Sequence, residues 1–301
     1  MTIVFTICSN NYLAQAKTFI DSLISFNPNI KPYIFLIDKK TQLIDYTFFI
    51  PAELIEVSEN IVKGYEELVT KYSIVELNTA VKPFIFEFLA EFESEVRRLY
   101  YFDPDICIYD SLNLLDKLLD EFDIIITPHF LSPLPIDGLE PFENLALNYG
   151  TYNLGFLALN PRTDNTRKFL KWWGERTLKF GYSKVDQGFF VDQLWFNLVP
   201  VFFDKICSLK HPGYNMAAWN LHERSIKSYL ADGRIKLNSE DYLAFYHFSS
   251  YNFSSPEVLS TKYTRYNFDN KPAVKELYGV YHARVFNNQM ERFRNIRCGL
   301  P

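Results

Sequence analysis

The sequence predicts an α/β protein, a mostly parallel central sheet flanked by helices with a small C-terminal extension. Three observations carry this. Thr2–Cys8 (TIVFTIC) is an apolar, β-branched run of the kind buried on both faces of a parallel sheet. It leads through Ser9-Asn10-Asn11 into a helical pattern and then into Tyr33–Ile37 (YIFLI), which reads as the next strand of a βαβ unit. The length of 301 residues, with 48% apolar and 22% charged residues, fits one large domain, or one domain with a small appendage, around a substantial core.

The elements follow in order. Leu13, Ala16, Ile20 and Leu23 fall on one face of a helix that ends near Phe26, and Ser9, Asn10 and Asn11 are all good N-cap residues for it. Asp38 ends the second strand. Glu53–Val57 is a third strand and Ile61–Tyr72 a helix. Ile74–Phe92 is helical in pattern, but Pro83 imposes a kink or break. Lys82, just before it, either projects from irregular backbone or is a plain solvated lysine. Leu99–Phe102 is a buried strand, Leu112–Leu119 a short helix and Asp123–Thr127 another strand. Pro128–Glu143 holds four prolines and one glycine, and reads as a loop long enough for a lid or wall.

Tyr149–Asn160 is a strand holding Asn153-Leu154-Gly155, where the glycine marks a close approach of ligand or backbone. Arg167–Phe180 is a helix with Trp172-Trp173 in the core. Phe189–Leu198 contains Asp192-Gln193, with Asp192 also suited to cap a helix. Lys210–Arg224 is rich in turn residues and aromatics, as functional loops are. Tyr242–Phe248 delivers His247 at its end. From Glu257 the chain is tyrosine-rich and helical in parts, ending in a basic tail, Arg292–Arg297. No internal repeat or low-complexity linker is visible, so the division is a main domain over residues 1–250 and an extension over 251–301 packed on it.

Net charge is −5, from 31 basic and 36 acidic residues, which gives no general pull toward nucleic acid. The four cysteines, Cys8, Cys107, Cys207 and Cys298, form no CxxC pair. They read as reduced thiols of a cytoplasmic protein. The first strand leaves no room for a signal peptide, and no run reaches the ~18 apolar residues that would span a bilayer. The basic tail offers at most a peripheral membrane contact.

Candidate chemistry centres on Asp103-Pro104-Asp105, between the apolar runs Leu99–Phe102 and Ile106–Tyr109. In extended chain both carboxylates share a face. Held together they repel, so a positive partner is expected, and a hard divalent cation with open positions fits while also holding substrate phosphates. The plain alternative is a strand-end turn whose aspartates cap amides or face water.

Taken together, the chain from Ile3 to Phe248 resembles the GT-A glycosyltransferases, closest to the retaining enzymes of glycosyltransferase family 8. Six short motifs occur in that family's order. Asn11-Tyr12 resembles its base-pocket Asn-Tyr, and Thr79-Ala80-Val81-Lys82 the segment that sends a basic side chain to the donor diphosphate. Asp103-Pro104-Asp105 with Asp110-Ser111-Leu112 is similar to its D-x-D-x-x-x-x-D-S-L. Asn153-Leu154-Gly155 matches N-x-G, Asp192-Gln193 through Asn197 matches D-Q-x-x-x-N, and His247-Phe248 matches its His-aromatic pair. Two departures stand out. Ser9 or Asn10 replaces a usual acidic residue, and Ser249-Ser250-Tyr251 replaces the glycine and Lys-Pro-Trp that follow the histidine.

The resemblance implies a metal-dependent transfer of a hexose from a nucleotide-diphosphate sugar, a UDP-sugar, to a glycan or lipid-linked saccharide, with retention. Asp103, Asp105 and His247 would hold Mn²⁺ or Mg²⁺, the imidazole favouring manganese. Cys8, Asn10, Asn11, Tyr12, Lys82, Pro104 and Gly213 would line the nucleotide and diphosphate, with Lys262 as a substitute for the missing lysine. Asn153, Asp192 and Gln193 would meet the donor sugar. Gln193, an amide and a poor nucleophile, points to a same-face mechanism. Two other readings stand beside this one. A sugar-phosphate nucleotidyltransferase usually opens with a Gly-rich phosphate loop, which Ser9-Asn10-Asn11 lacks. A catalytically silent carbohydrate- or nucleotide-binding relative would lose the metal ligands, which are present here.

Overall fold

The computed structural model describes residues 1–296, 298 and 299. Arg297, at the end of the basic tail, and Leu300 and Pro301, at the end of the extension, lie outside the described residues. In chain order the first elements are β1 (Thr2–Cys8), α1 (Leu13–Phe26), β2 (Lys31–Leu36), β3 (Glu53–Glu56), α2 (Tyr65–Lys71), α3 (Ile74–Ala80) and α4 (Lys82–Phe92). Then come β4 (Arg98–Phe102), β5 (Ile106–Ile108), α5 (Asn113–Leu118), β6 (Ile124–Pro128), α6 (Asn144–Tyr149), β7 (Tyr152–Leu159) and α7 (Asp164–Phe180). The remainder comprises β8 (Ser183–Lys184), β9 (Phe189–Phe190), α8 (Val199–Phe202), β10 (Ile206–Ser208), β11 (Met216–Ala217), β12 (Ile226–Tyr229), β13 (Ile235–Leu237), β14 (Phe245–His247), α9 (Pro272–Asn287) and α10 (Met290–Phe293).

The main sheet has seven strands in the order β10-β6-β7-β4-β1-β2-β3. It is parallel except around β7, which runs antiparallel to both β4 and β6. One apolar cluster lies on each face. Val4, Ile34 and Tyr100 point to the side of α1, while Phe5, Phe35 and Tyr101 point to the side of α4 and α7. This is the two-residue alternation of strands buried on both faces. Each fully buried Leu, Ile or Phe in these layers contributes about 1.5–3 kcal/mol. A smaller sheet, β11-β14-β5, leaves the main one at the end of β4.

Some boundaries differ from the sequence expectation, each for a local reason. The helix expected over 61–72 begins only at Tyr65, because Gly64 sits in the left-handed region at φ +80° and the Glu59 carboxylate ties up the Gly64 and Glu66 amides. The run 74–92 breaks at Val81, and α4 restarts with Pro83 in its first turn, where a missing N–H leaves no helical bond unmade. Trp173 is fully buried, but Trp172 is only half-buried on the outer face of α7. Beyond residue 250, Leu277, Tyr281 and Val285 of α9 join the same apolar cluster as α1, and Tyr281 stacks on Phe248 at 3.7 Å.

Candidate active site

β4 ends at Phe102, and Asp103-Pro104-Asp105 forms a turn into β5 rather than the extended stretch the sequence suggested. The proline accounts for the difference, since its fixed φ suits a turn as well as a strand. Ile106 N–H closes the turn by donating to Asp103 O (3.2 Å), and Asp103 N–H donates to Gly155 O on β7 (2.7 Å). The turn, not strand alternation, brings the carboxylates to one place. His247 joins them from β14, with Nε2 3.2 Å from Asp105 Oδ1 and 3.7 Å from Asp103 Oδ2. One ligand atom from each of the three lies within 4.8 Å of the others.

Two neighbours aim the histidine. A Cβ on Gly155 would stand 2.3 Å from His247 Cε1, so only glycine admits the ring here. Asn153 Oδ1 accepts from Asn215 Nδ2 (3.1 Å) and Gly155 N (3.2 Å), and lies 3.2 Å from His247 Nδ1. An acceptor so placed puts the ring proton on Nδ1 and leaves Nε2 facing the carboxylates. Burial works against charge on this imidazole, but Asp105 and then Asp103 outweigh it and hold its pKa above the ordinary value. Two carboxylates and an imidazole with a free nitrogen form a donor set that fits a divalent cation.

Lys82 is not a solvated lysine. The α4 restart turns it inward to 3% exposure, where its ammonium donates to Leu154 O at 3.0 Å. It also lies 3.1 Å from Asp192 Oδ2 and 3.8 Å from Asp103 Oδ1. A buried charge persists only when paired and hydrogen-bonded in this way. Asp192 is equally buried and serves as Lys82's counter-ion, not as the helix cap the sequence allowed. Burial pushes its carboxyl up to about 6 against the pull of Lys82, with Asp103 adding to the rise. Val191, a β-branched residue at φ +41°, precedes it; such strain costs of order 1–3 kcal/mol. Gln193 is held at both ends of its amide, Oε1 accepting from Leu154 N (2.9 Å) and Nε2 donating to Tyr149 O (2.8 Å).

These groups share a cavity of about 680 Å³. Lys82, Asp103, Asn153, Asp192, Gln193 and His247 line it, as do Lys262 and Tyr263. His129, which had no role in the sequence reading, also lines it, as does Trp219 of the 213–220 stretch, which reads from sequence as an acceptor- or diphosphate-facing wall. His129 is fully buried, which drops its pKa to about 4 and keeps it neutral, and its Nε2 lies 3.4 Å from Asn153 Nδ2. Asn215, at φ +59°, and Asn220 form the scaffold under Asn153 and His129. The turn-rich character of 210–224 flagged their segment but not the residues.

Gly213 is a correction. A Cβ there would sit 2.0 Å from Tyr242 O, and its own carbonyl accepts from Ala244 N, so it locks the backbone behind β14 and does not line this cavity. On the nucleotide side, Tyr12 is 45% exposed, and its phenol is raised by burial and by Asp105 and Asp103 nearby. Asn10 spends its side chain on Lys39 O (2.8 Å) and the Tyr46 hydroxyl (3.0 Å), and Asn11 accepts from the Ser9 hydroxyl. The Cys8 side chain packs into the core, where burial and then Asp38 raise its thiol, so only its backbone can face a ligand.

No family model matches the chain. The uncharacterised protein YfnF of Bacillus subtilis (strain 168) is 29% identical over 205 residues, covering 66% of this chain and 64% of that protein. Among solved structures, the galactosyltransferase LgtC in complex with donor and acceptor sugar analogues superposes with a TM-score of 0.51 at 17% identity, over 94% of this chain and 95% of that one. GlyE, a glycosyltransferase of Streptococcus pneumoniae TIGR4, gives 0.55 at 15% identity, over all of this chain and 66% of that one. The bifunctional glycosyltransferase WbbM gives 0.53 at 17% identity, over 96% of this chain and 52% of that one. At these identities the likeness is one of architecture, and the chain has the GT-A fold of these glycosyltransferases.

Proposed function

We propose that the chain is a cytoplasmic, metal-dependent glycosyltransferase of the retaining family 8 type. It transfers a hexose from a nucleotide-diphosphate sugar, a UDP-hexose, to a glycan or lipid-linked saccharide. The observation that carries the reading is the meeting of Asp103, Asp105 and His247 beside a cavity that Asp103 and His247 line together with the Lys82–Asp192 pair. A cation bound there, Mn²⁺ in preference to Mg²⁺ because of the imidazole, supplies Lewis-acid stabilisation of the departing diphosphate.

The chain's own groups do the rest. Lys82 offsets charge that builds on the leaving diphosphate, and Lys262, which lines the same cavity, supplies a second cation. Asp192, whose Oδ2 lies 3.1 Å from the Lys82 ammonium, lines the cavity and offers its carboxylate as an acceptor to a donor-sugar hydroxyl. With both ends of its amide engaged, Gln193 positions the sugar but supplies no nucleophile. The acceptor hydroxyl therefore attacks the anomeric carbon from the face the diphosphate leaves, its proton passing to the departing phosphate oxygen as the bond from that oxygen to the anomeric carbon breaks, which retains the anomeric configuration.

Donor hydrolysis across a panel of nucleotide sugars, with and without Mn²⁺, tests this without knowledge of the acceptor. One donor should turn over only with metal, and Asp105→Ala should lower that rate at least about 100-fold. Metal-independent turnover, or an unaffected Asp105→Ala, would sink the reading. An inverted product anomer by NMR would remove the same-face step alone.

A further inference from the structure

The sequence placed membrane contact at the basic tail, but the structure engages Arg292 elsewhere: its guanidinium donates to Leu43 O and Gln289 Oε1. A different surface has the chemistry of an interface. Along the outer side of α7, aromatic rings continue from one element to the next. Phe202 of α8 meets Trp172 (5.8 Å between centroids), Trp172 meets Trp195 (6.4 Å), Trp195 meets Phe180 (6.1 Å), and Phe180 stacks on Phe189 (5.6 Å). The rings do not close into a core. Val201 is 73% exposed, Phe202 55% and Phe180 42%. Contiguous apolar surface of this kind on a water-facing protein marks an interaction site.

Its charge says what covers it. α7 carries five basic residues against two acidic ones, in a chain whose net charge is −5. Lys168, Trp172, Arg176 and Lys179 stand at helical spacing on one face. Arg176, paired with Glu175 at 2.7 Å, lies over the Trp172 ring at 5.1 Å, and these two charges border a hollow with Lys179, Phe180 and Trp195. Tryptophan and phenylalanine rings framed by lysine and arginine match the acyl–headgroup boundary of an anionic bilayer. There the rings enter the apolar layer and the long cationic side chains reach the headgroups.

We propose that the face formed by α7, the 195–202 segment and β9 docks on an anionic lipid bilayer. Position adds a consequence, which rests on the glycosyltransferase reading above. Phe190, the neighbour of Phe189 in β9, packs on Tyr149 at 4.8 Å, and both line the candidate active-site cavity. Docking through this face sets the cavity mouth beside the lipid plane, where a lipid-linked saccharide presents its sugar.

Co-sedimentation of the full chain with vesicles tests the docking. Wild type should pellet with phosphatidylglycerol–phosphatidylcholine vesicles, much less with phosphatidylcholine alone, and less as salt is raised. Lys168→Glu/Arg176→Glu and, separately, Val201→Asp/Phe202→Ser should each weaken partitioning roughly tenfold or more. Their far-UV circular dichroism should remain that of wild type, and Arg292→Glu should bind as wild type does. Wild type left in the supernatant, folded variants that pellet normally, or a loss confined to Arg292→Glu would overturn the proposal. So would a wild-type dimer in sedimentation velocity that Val201→Asp/Phe202→Ser dissociates, since the face would then belong to a second copy. Vesicle binding needs neither metal nor donor, so its failure is distinct from failure of the enzymatic reading.

Discussion

Lys82 and Asp192 carry the central cost of the site. Both are charged groups taken out of water, and each is tolerable only because the other is there. The folded carboxyl of Asp192 keeps its proton to about pH 6, against an ordinary value of 3.8. The folded state therefore holds this proton more tightly than the unfolded chain. The stability this confers is complete below about pH 4 and is lost as pH rises through about 6. Asp192→Asn removes the titration. Urea denaturation of the two proteins should show the variant gaining on wild type between pH 4 and 7, by on the order of 2 kcal/mol. A constant difference across that range would mean that Asp192 titrates normally in the fold. Their pairing was not visible in the chain. Lys82 read as a solvated lysine from its own stretch and as a diphosphate contact by resemblance, and Asp192 as a donor-sugar contact or a cap, because their meeting depends on residues 110 positions apart in sequence folding onto one spot.

Among the elements, the α3–α4 break was legible, whereas the Asp103–Asp105 turn was one of two readings that the sequence left open. Pro83 announces itself because its ring forbids a continuous helix, whatever the tertiary context. Pro104 does not, because strand ends and turns both accept proline, and the Asp103 N–H bond to Gly155 that selects the turn comes from a distant strand. The α3 start is similarly local. Ser73 and Glu76 form a reciprocal capping box, with Glu76 Oε2 accepting from Ser73 N at 2.9 Å and Glu76 N donating to Ser73 Oγ at 3.4 Å. Its spacing, S-x-x-E, could have been read from the sequence. Because α3 brings Val75 and Thr79 to the cavity, the cap supports the wall as well as the helix. Ser73→Ala should cost about 1 kcal/mol, seen as a lower urea midpoint at unchanged m-value. An unshifted midpoint would show that tertiary packing alone holds the helix.

At the scale of the whole molecule, the fold was readable from its strands because a sheet buried on both faces writes itself as continuous apolar runs. The site was readable as short motifs in order. The side chains that orient those motifs, Asn215 and Asn220 among them, leave no such pattern, since one asparagine in a polar loop resembles any other. What the architecture adds is the way the candidate ligands are divided. Asp103 and Asp105 leave the main sheet at the end of β4, whereas His247 comes from the smaller sheet on β14. A cation held by all three would tie the two sheets together, so binding should appear as global stability and not only as activity. A site occupied at about 100 times its dissociation constant contributes roughly 2.7 kcal/mol. For a chain of this size that is a rise in Tm of roughly 5 °C. Mn²⁺ should raise the wild-type Tm by about this much, and a nucleotide diphosphate should add to the shift only when Mn²⁺ is present. Asp105→Ala should lose both effects while still melting cooperatively. If Asp105→Ala kept the full Mn²⁺ shift, the cation would be binding elsewhere, and the two sheets would be held by the β4–β5 turn and by packing such as Phe102 of β4 against Phe245 of β14.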